Sequence, residues 1–199
     1  SRMIKNNLSI GKKKENLRKR MLAERRALSV ENLSNMSISL TGNIQQLASY
    51  KSAQKIMTFL AMEGESNLDM LIKDALKLGK EVYVPVCLPD RQMEAGRVKD
   101  MSHFEIGTLG LRCLKKGYET LVPEKLDLVL IPAVACDIFG RRLGMGAGYY
   151  DRYLERIPYE KRIAVVWDFQ VQEEPIPTEP FDMGVSSIVT EKRIIKIMR

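Results

Sequence analysis

The chain has 199 residues, 45% of them hydrophobic, with a formal charge of +7 from 32 basic and 25 acidic side chains. That size suits one domain with a substantial core, and the basic excess fits an anionic partner such as a phosphate, nucleotide or polycarboxylate, although solubility alone also accounts for it. Three scattered cysteines (Cys87, Cys113, Cys136) and a lone His103 give no disulfide framework, zinc knuckle or histidine metal cluster, and no apolar run approaches the ~20 residues that cross a membrane.

In chain order, Gly11 to Leu28 reads as a helix, rich in Lys, Arg, Glu, Leu and Ala and free of proline. Leu17, Met21 and Leu28 form its apolar stripe. Lys14, Arg18 and Arg25 fall on a neighbouring stripe at spacings of four and seven. Ser29 is placed to cap a second helix from Val30 to about Tyr50, so a helical pair is expected over 11–50. Residues 55–60 form a short apolar run, expected as a buried strand. Asn67 to Leu78 is an amphipathic helix with Gly79 as its C-terminal cap. Glu81 to Val86 is a second strand, residues 91–99 are expected to hold a hairpin or short strand pair, and 101–124 are irregular.

Residues 126–131 (LDLVLI) form the most apolar strand, ending at Pro132. A short segment, 133–137, precedes a glycine-rich loop and a helix from Tyr149 to about Arg156. Further strands are expected at 162–167, 186–190 and 194–197. Strands alternating with helices imply a single α/β domain, three layers deep, with a mostly parallel central sheet covered on both faces. Such sheets receive ligands at the carboxyl ends of their strands. Cys136 reads as a core residue, Trp167 as a core or edge residue, and His103 as a structural or solvent-facing one.

The segment 137–154 (DIFGRRLGMGAGYYDRYL) follows the strongest strand and precedes a helix. Gly144, Gly146 and Gly148 alternate in it. Glycines admit positive φ and leave room for a ligand against the backbone, so successive N–H groups can form an anion nest beside a helix N-terminus. Arg141 and Arg142 offer donors for phosphate oxygens, and Asp151 is a carboxylate that could hold Mg²⁺ against phosphates. The same glycines are also compatible with a plain tight turn. The loop has no G-K-[ST] and lacks the dinucleotide G-x-G-x-x-G spacing.

Residues 142–151 (RLGMGAGYYD) closely resemble the signature of the 5-formyltetrahydrofolate cyclo-ligase (methenyltetrahydrofolate synthetase) family. Residues 14–18 (KENLR) resemble its N-terminal basic motif, 59–65 (FLAMEGE) its strand-end segment closing in a substrate-contacting Glu, and 181–183 (FDM) its late Asp motif. The resemblance implies a Rossmann-like fold of the NagB/RpiA/CoA-transferase kind. The activity it implies is conversion of 5-formyltetrahydrofolate to 5,10-methenyltetrahydrofolate, with ATP and Mg²⁺, releasing ADP and phosphate. By the same resemblance, Lys14, Arg18, Arg142, Gly144, Gly146, Gly148 and Tyr150 are expected at ATP. Leu60, Met62, Glu65, Met145 and Tyr149 are expected at the folate, Asp151 and Asp182 at the metal, and Arg142 and Tyr149 in catalysis.

Three positions depart from the family pattern. Cys113 and Leu114, in the stretch 110–114, stand where many members carry Glu-Pro in the folate pocket, and Ala147 stands where some carry a basic residue. A non-catalytic folate or nucleotide binder of the same fold is the alternative that the 110–114 stretch favours. Nucleic acid is not an expected partner, because the aromatics, 7% of the chain, are not interleaved with the basic stretches. The resulting picture is a cytoplasmic monomer acting on small molecules, with no leader segment in its opening residues.

Overall fold

A computed structural model describes residues 8–198; the opening stretch 1–7, read above as lacking an apolar leader, lies outside the described residues. Helix α1 (Ile10–Arg26) is capped by Ser9, whose hydroxyl accepts from Lys12 N at 3.1 Å. Helix α2 (Val30–Gln46) is capped in the same way by Ser29, through Asn32 N at 3.1 Å. The expected second helix does not run unbroken to Tyr50: Leu47 is extended (φ −65°, ψ 131°), and a short α3 (Ala48–Ser52) follows. Strand β1 (Lys55–Met57), helix α4 (Asp69–Lys77, ended by Gly79 at φ 79°) and strand β2 (Glu81–Cys87) come next.

The stretch 91–99 holds one strand, β3 (Met93–Val98), rather than a strand pair, and its hairpin partner is β2. The "irregular" 101–124 contains a small ladder, β4 (Phe104–Ile106) with β5 (Arg112–Leu114), and a two-residue β6 (Thr120–Leu121). Strands β7 (Leu128–Ile131), β8 (Ala135–Asp137) and β9 (Arg142–Leu143) lead into helix α5 (Tyr149–Leu154). The chain closes with β10 (Arg162–Val165), β11 (Val171–Gln172), β12 (Ser187–Val189) and β13 (Ile194–Lys196).

The main sheet has the order β13-β12-β10-β7-β1-β2-β3-β6. Its five central strands, β12 to β2, are parallel, and the flanking strands are antiparallel. Because it is covered on both faces, its central strands are continuously apolar rather than alternating. Ile56, Leu128, Leu130, Ile163 and Val165 pack on α2, α3 and α4 through Leu40, Ile44, Tyr50 and Leu71. Their neighbours Met57, Val129, Ile131 and Ala164 point the other way, onto Tyr153, Leu154 and Ile157. A second sheet, β11-β8-β9, packs through Val134, Ala135 and Leu143 against Leu17 and Met21 of α1. That contact brings the stripe of α1 carrying Lys14 and Arg18 against the glycine-rich loop. Cys136 and Trp167 are in the core, as expected, and burial pushes the Cys136 thiol up to about 12. His103 ends a 3₁₀ turn, its Nδ1 accepting from Lys99 N at 3.3 Å.

Candidate active site

A cavity of about 470 Å³ opens at the carboxyl ends of the parallel strands, walled by Phe59 and Leu60 after β1, Pro85 and Cys87 of β2, and Pro132 and Ala133 after β7. The glycine loop forms a second wall, and α1 and the segment 179–182 form a third. Every residue that the signature, the basic motif, the strand-end segment and the late Asp motif place at ATP, folate or metal lines this one space. Met62, Met145 and Phe181 are exposed large apolar side chains on its lining, a surface suited to the flat face of an aromatic ring.

The glycine loop hangs from Asp137, which is fully buried at the end of β8. Its Oδ1 accepts from Phe139 N (2.9 Å) and Arg141 N (3.0 Å), and its Oδ2 from Ile176 N (2.9 Å). A buried carboxylate holding three backbone donors fixes the hairpin turn and the strand leaving it. Asp137 was not singled out in the sequence; the signal available was its place at the end of a buried apolar segment just before Gly140, a residue at φ 86°.

Arg141 and Arg142 part company at β9. Arg141 turns back to Asp137 (3.6 Å) and over the Phe139 ring (5.5 Å) and does not line the cavity. The expectation of a phosphate-facing arginine pair is therefore corrected to one arginine: Arg141 precedes β9 and is held by Asp137 and Phe139. Arg142 is buried, donates Nε–H to Pro132 O (2.8 Å) and lies 5.0 Å over the Tyr150 ring. Gly144 lies against its guanidinium: a Cβ there would come within 3.1 Å of Nη2. Tyr150 packs beneath the loop, and burial pushes its phenol well above the ordinary range.

Among the described residues, none accepts a hydrogen bond from the N–H groups of Gly144, Met145, Gly146, Ala147 or Gly148. Gly146 (φ 109°) and Gly148 (φ 81°) adopt the left-handed conformations that turn successive amides to one side. Gly148 also caps α5 with no side-chain acceptor, so the unpaired donors continue into the helix. Arg18 spans from α1 to this loop, its Nε donating to Gly144 O at 2.8 Å.

Lys14, one turn earlier on α1, is 7% exposed. Its Nζ lies 2.6 Å from Asp182 Oδ2 and 3.2 Å from Glu179 Oε1, and 5.4 Å over the Phe181 ring. Asp182 also accepts from Glu179 N, and Asp151 Oδ1 accepts from Met183 N at 3.0 Å. That last bond ties the start of α5 to the residue after Asp182. Glu179 was missed in the sequence; its signal was a third acid three residues before Asp182 in a proline-rich stretch. Among the described residues, no group of three or more His, Cys, Asp or Glu is arranged to hold a metal ion unaided.

Glu65 closes a turn on itself: its N–H donates to Met62 O (2.9 Å), and its Oε1 accepts from Met62 N (2.8 Å). Burial raises its carboxyl above the usual range, against the lowering effects of the Met62 hydrogen bond and the cations of Arg25 and Arg142. The stretch 110–114, by contrast, belongs to the β4–β5 ladder and does not line the cavity, so the atypical Cys113 and Leu114 are not part of its wall.

Known proteins resemble this chain in sequence and fold. A sequence profile of the 5-formyltetrahydrofolate cyclo-ligase family matches residues 10–191. The 5-formyltetrahydrofolate cyclo-ligase of Escherichia coli (strain K12) is 29% identical over 177 residues, covering 85% of this chain and 96% of that protein. The Mus musculus protein of the same name is 29% identical over 199 residues, covering 92% and 96%. Among solved structures, the 5,10-methenyltetrahydrofolate synthetase of Aquifex aeolicus superposes with a TM-score of 0.82 at 32% identity, over 94% of this chain and 93% of that one. A Mycoplasma pneumoniae structure, 23% identical with a TM-score of 0.72, shares the fold. Since the match runs from α1 to the residues just past β12 and takes in every wall of the cavity, the chain belongs to the 5-formyltetrahydrofolate cyclo-ligase family of enzymes.

Proposed function

We propose that this enzyme uses ATP with Mg²⁺ to convert 5-formyltetrahydrofolate to 5,10-methenyltetrahydrofolate, with ADP and phosphate as the other products. The observation that carries this reading is the run of unpaired amides at 144–148 on the same cavity as Lys14, Arg18, Arg142 and Glu65. Peptide N–H groups beside three cations suit a polyphosphate. The apolar side of the space, with Leu60, Met62, Met145 and Tyr149, suits a pterin whose polar edge meets Glu65.

The chemistry is phosphoryl transfer followed by ring closure. The formyl oxygen attacks the γ-phosphorus, the new O–P bond forms as the bond to ADP breaks, and ADP leaves. The second folate nitrogen then attacks the activated formyl carbon and loses its proton, and the C–O bond breaks to release phosphate. No side chain serves as a covalent nucleophile. The protein's contribution is placement and charge. The glycine-loop amides and Arg18 hold the donor, Arg142 stabilises charge on the transferred group, and Tyr149 and Glu65 orient the folate.

Asp151 and Asp182 approach the cavity from α5 and the 179–182 turn and are linked through Met183. Two carboxylates with phosphate oxygens completing the set is a donor arrangement that fits Mg²⁺. When bound, the ion neutralises the phosphate oxygens. Asp182, now paired with Lys14, would be free to hold the ion where phosphate took its place on Lys14.

The test is the near-ultraviolet absorbance of the methenyl product, followed with 5-formyltetrahydrofolate while ATP or Mg²⁺ is withheld in turn. Product without ATP overturns the proposal. Thermal stabilisation by both ligands with no product would reinstate the non-catalytic binder.

A further inference from the structure

The turn that presents Glu65 is held from behind by two donors outside the cavity. Between the ends of the turn, the carbonyls of Glu63 and Gly64 point away from its closing hydrogen bonds. Glu63 O accepts from Arg25 Nη2 at 2.7 Å, and Gly64 O from Trp167 Nε1 at 2.7 Å. Both donors are buried, Arg25 at 5% and Trp167 at 1% exposure, and neither lines the cavity. Gly64 has φ 76°, and a Cβ there would meet Arg25 Cβ at 3.0 Å and Arg25 O at 3.2 Å. The turn therefore rests directly on α1.

A guanidinium is a demanding group to bury for one carbonyl, and the Nε of Arg25 is buried without a partner. Its charge also favours the ionised form of Glu65, against the larger raising effect of burial. Arg25 lies seven residues beyond Arg18 on the same helix, about two turns, so one rigid element carries both a loop contact of the phosphate side and the clamp on the folate side.

We propose that Arg25 and Trp167 are positioning residues for the folate subsite: together they fix the Glu63–Gly64 peptide and so aim Glu65. This rests on the reading of Glu65 as the folate contact. Neither residue touches substrate; each acts through the turn.

The experiment measures binding of 5-formyltetrahydrofolate without ATP, and of ADP with Mg²⁺ without folate, to the whole enzyme and its Arg25→Met, Trp167→Phe and Glu65→Gln variants. Misplacing an oriented group is expected to raise the folate Kd by about tenfold in Arg25→Met and Trp167→Phe, with the ADP Kd unchanged within about twofold. The groups whose charge acts on Glu65 are Arg25 from α1 and Arg142 from β9. Arg25→Met removes one of them, so the pH dependence of folate binding is expected to move to higher pH, while Trp167→Phe leaves it in place.

If both Kd values rise together, the residues support the fold in general and the proposal fails. An unchanged folate Kd also overturns it. Should Arg25→Met not fold, Trp167→Phe, which keeps the ring packing, decides by the same ratio of Kd values. Glu65→Gln separates the two readings. If it leaves folate binding intact, Glu65 is not the contact. If it weakens binding while the other two do not, only the positioning proposal is lost.

Discussion

Lys14 and Asp182, 168 positions apart in the sequence, meet at 2.6 Å inside the cavity that both are expected to share with a nucleotide. The helix and the late loop are thereby joined by a nearly buried ion pair, with Glu179 as a second acid at 3.2 Å. Removing one partner of such a pair leaves an uncompensated charge, the main energetic consequence of breaking it. Lys14→Met is expected to lower the unfolding free energy by about 3 kcal/mol and to weaken ATP binding. Urea unfolding with and without nucleotide checks both. An unchanged midpoint would show that Asp182 finds another partner.

Gly146 is a position where geometry and ligand space coincide. At φ 109°, with Arg18 Cζ 3.4 Å from a built Cβ, any side chain is strained and crowds the arginine. Gly146→Val is expected to cost about 1–3 kcal/mol in stability and to raise the ATP Kd by more than tenfold, leaving folate binding nearly intact. Separate titrations of the two ligands read this directly. Wild-type ATP affinity in the variant would remove the loop from the nucleotide site.

Arg142 offers a cleaner test of transition-state stabilisation, because its Nε–H is committed to Pro132 O and the far edge of the guanidinium lies by Gly144. Arg142→Ala is expected to lower turnover by about a hundredfold or more at saturating substrates, with a smaller change in the Michaelis constants. Arg142→Lys, which keeps the charge but loses the fork, should recover only part of it. Steady-state kinetics decide, with circular dichroism confirming the fold.

The carboxyl of Glu65 sets a pH dependence of stability. Burial raises its folded-state pKa above that of the unfolded chain. In the window between the two values the folded protein holds the proton and the unfolded chain does not, so stability falls as pH rises. The contribution is complete below the ordinary glutamate range and is lost as pH passes the raised value. Relative to Glu65→Gln, the wild type should lose stability as pH rises across this window. Parallel slopes would mean that the carboxyl titrates normally.

Much of this molecule can be read from its residues, for identifiable reasons. Parallel strands covered on both faces must be apolar throughout, so β1, β2, β7 and β10 stood out as runs, and Ser29 and Gly79 marked helix ends by chemistry that the structure bears out. The β2–β3 hairpin did not stand out, because its turn puts Asp90 and Arg91 at φ 60° and 58° without the Asn-Gly or Asp-Gly pair that advertises such a turn. Strands of two residues, β6, β9 and β11, are too short to carry a period. At the site, the glycines declared themselves by spacing, whereas the parting of Arg141 from Arg142 depends on where β9 begins. Glu179 and Asp137 each had a faint local signal, but their partners, Lys14 and Ile176 N, are long-range contacts that no local pattern names.

The wall formed by α1 and 179–182 has a consequence for how the enzyme comes into being. Its two halves are far apart in the chain, and Arg18 must wait for Gly144, 126 residues later, to emerge. A nascent chain still lacking the 179–182 segment has no counter-ion for Lys14 and only part of a pocket. Capture of either small molecule therefore follows synthesis of the 179–182 segment, and ligand-dependent resistance to proteolysis should arise abruptly once that segment has emerged.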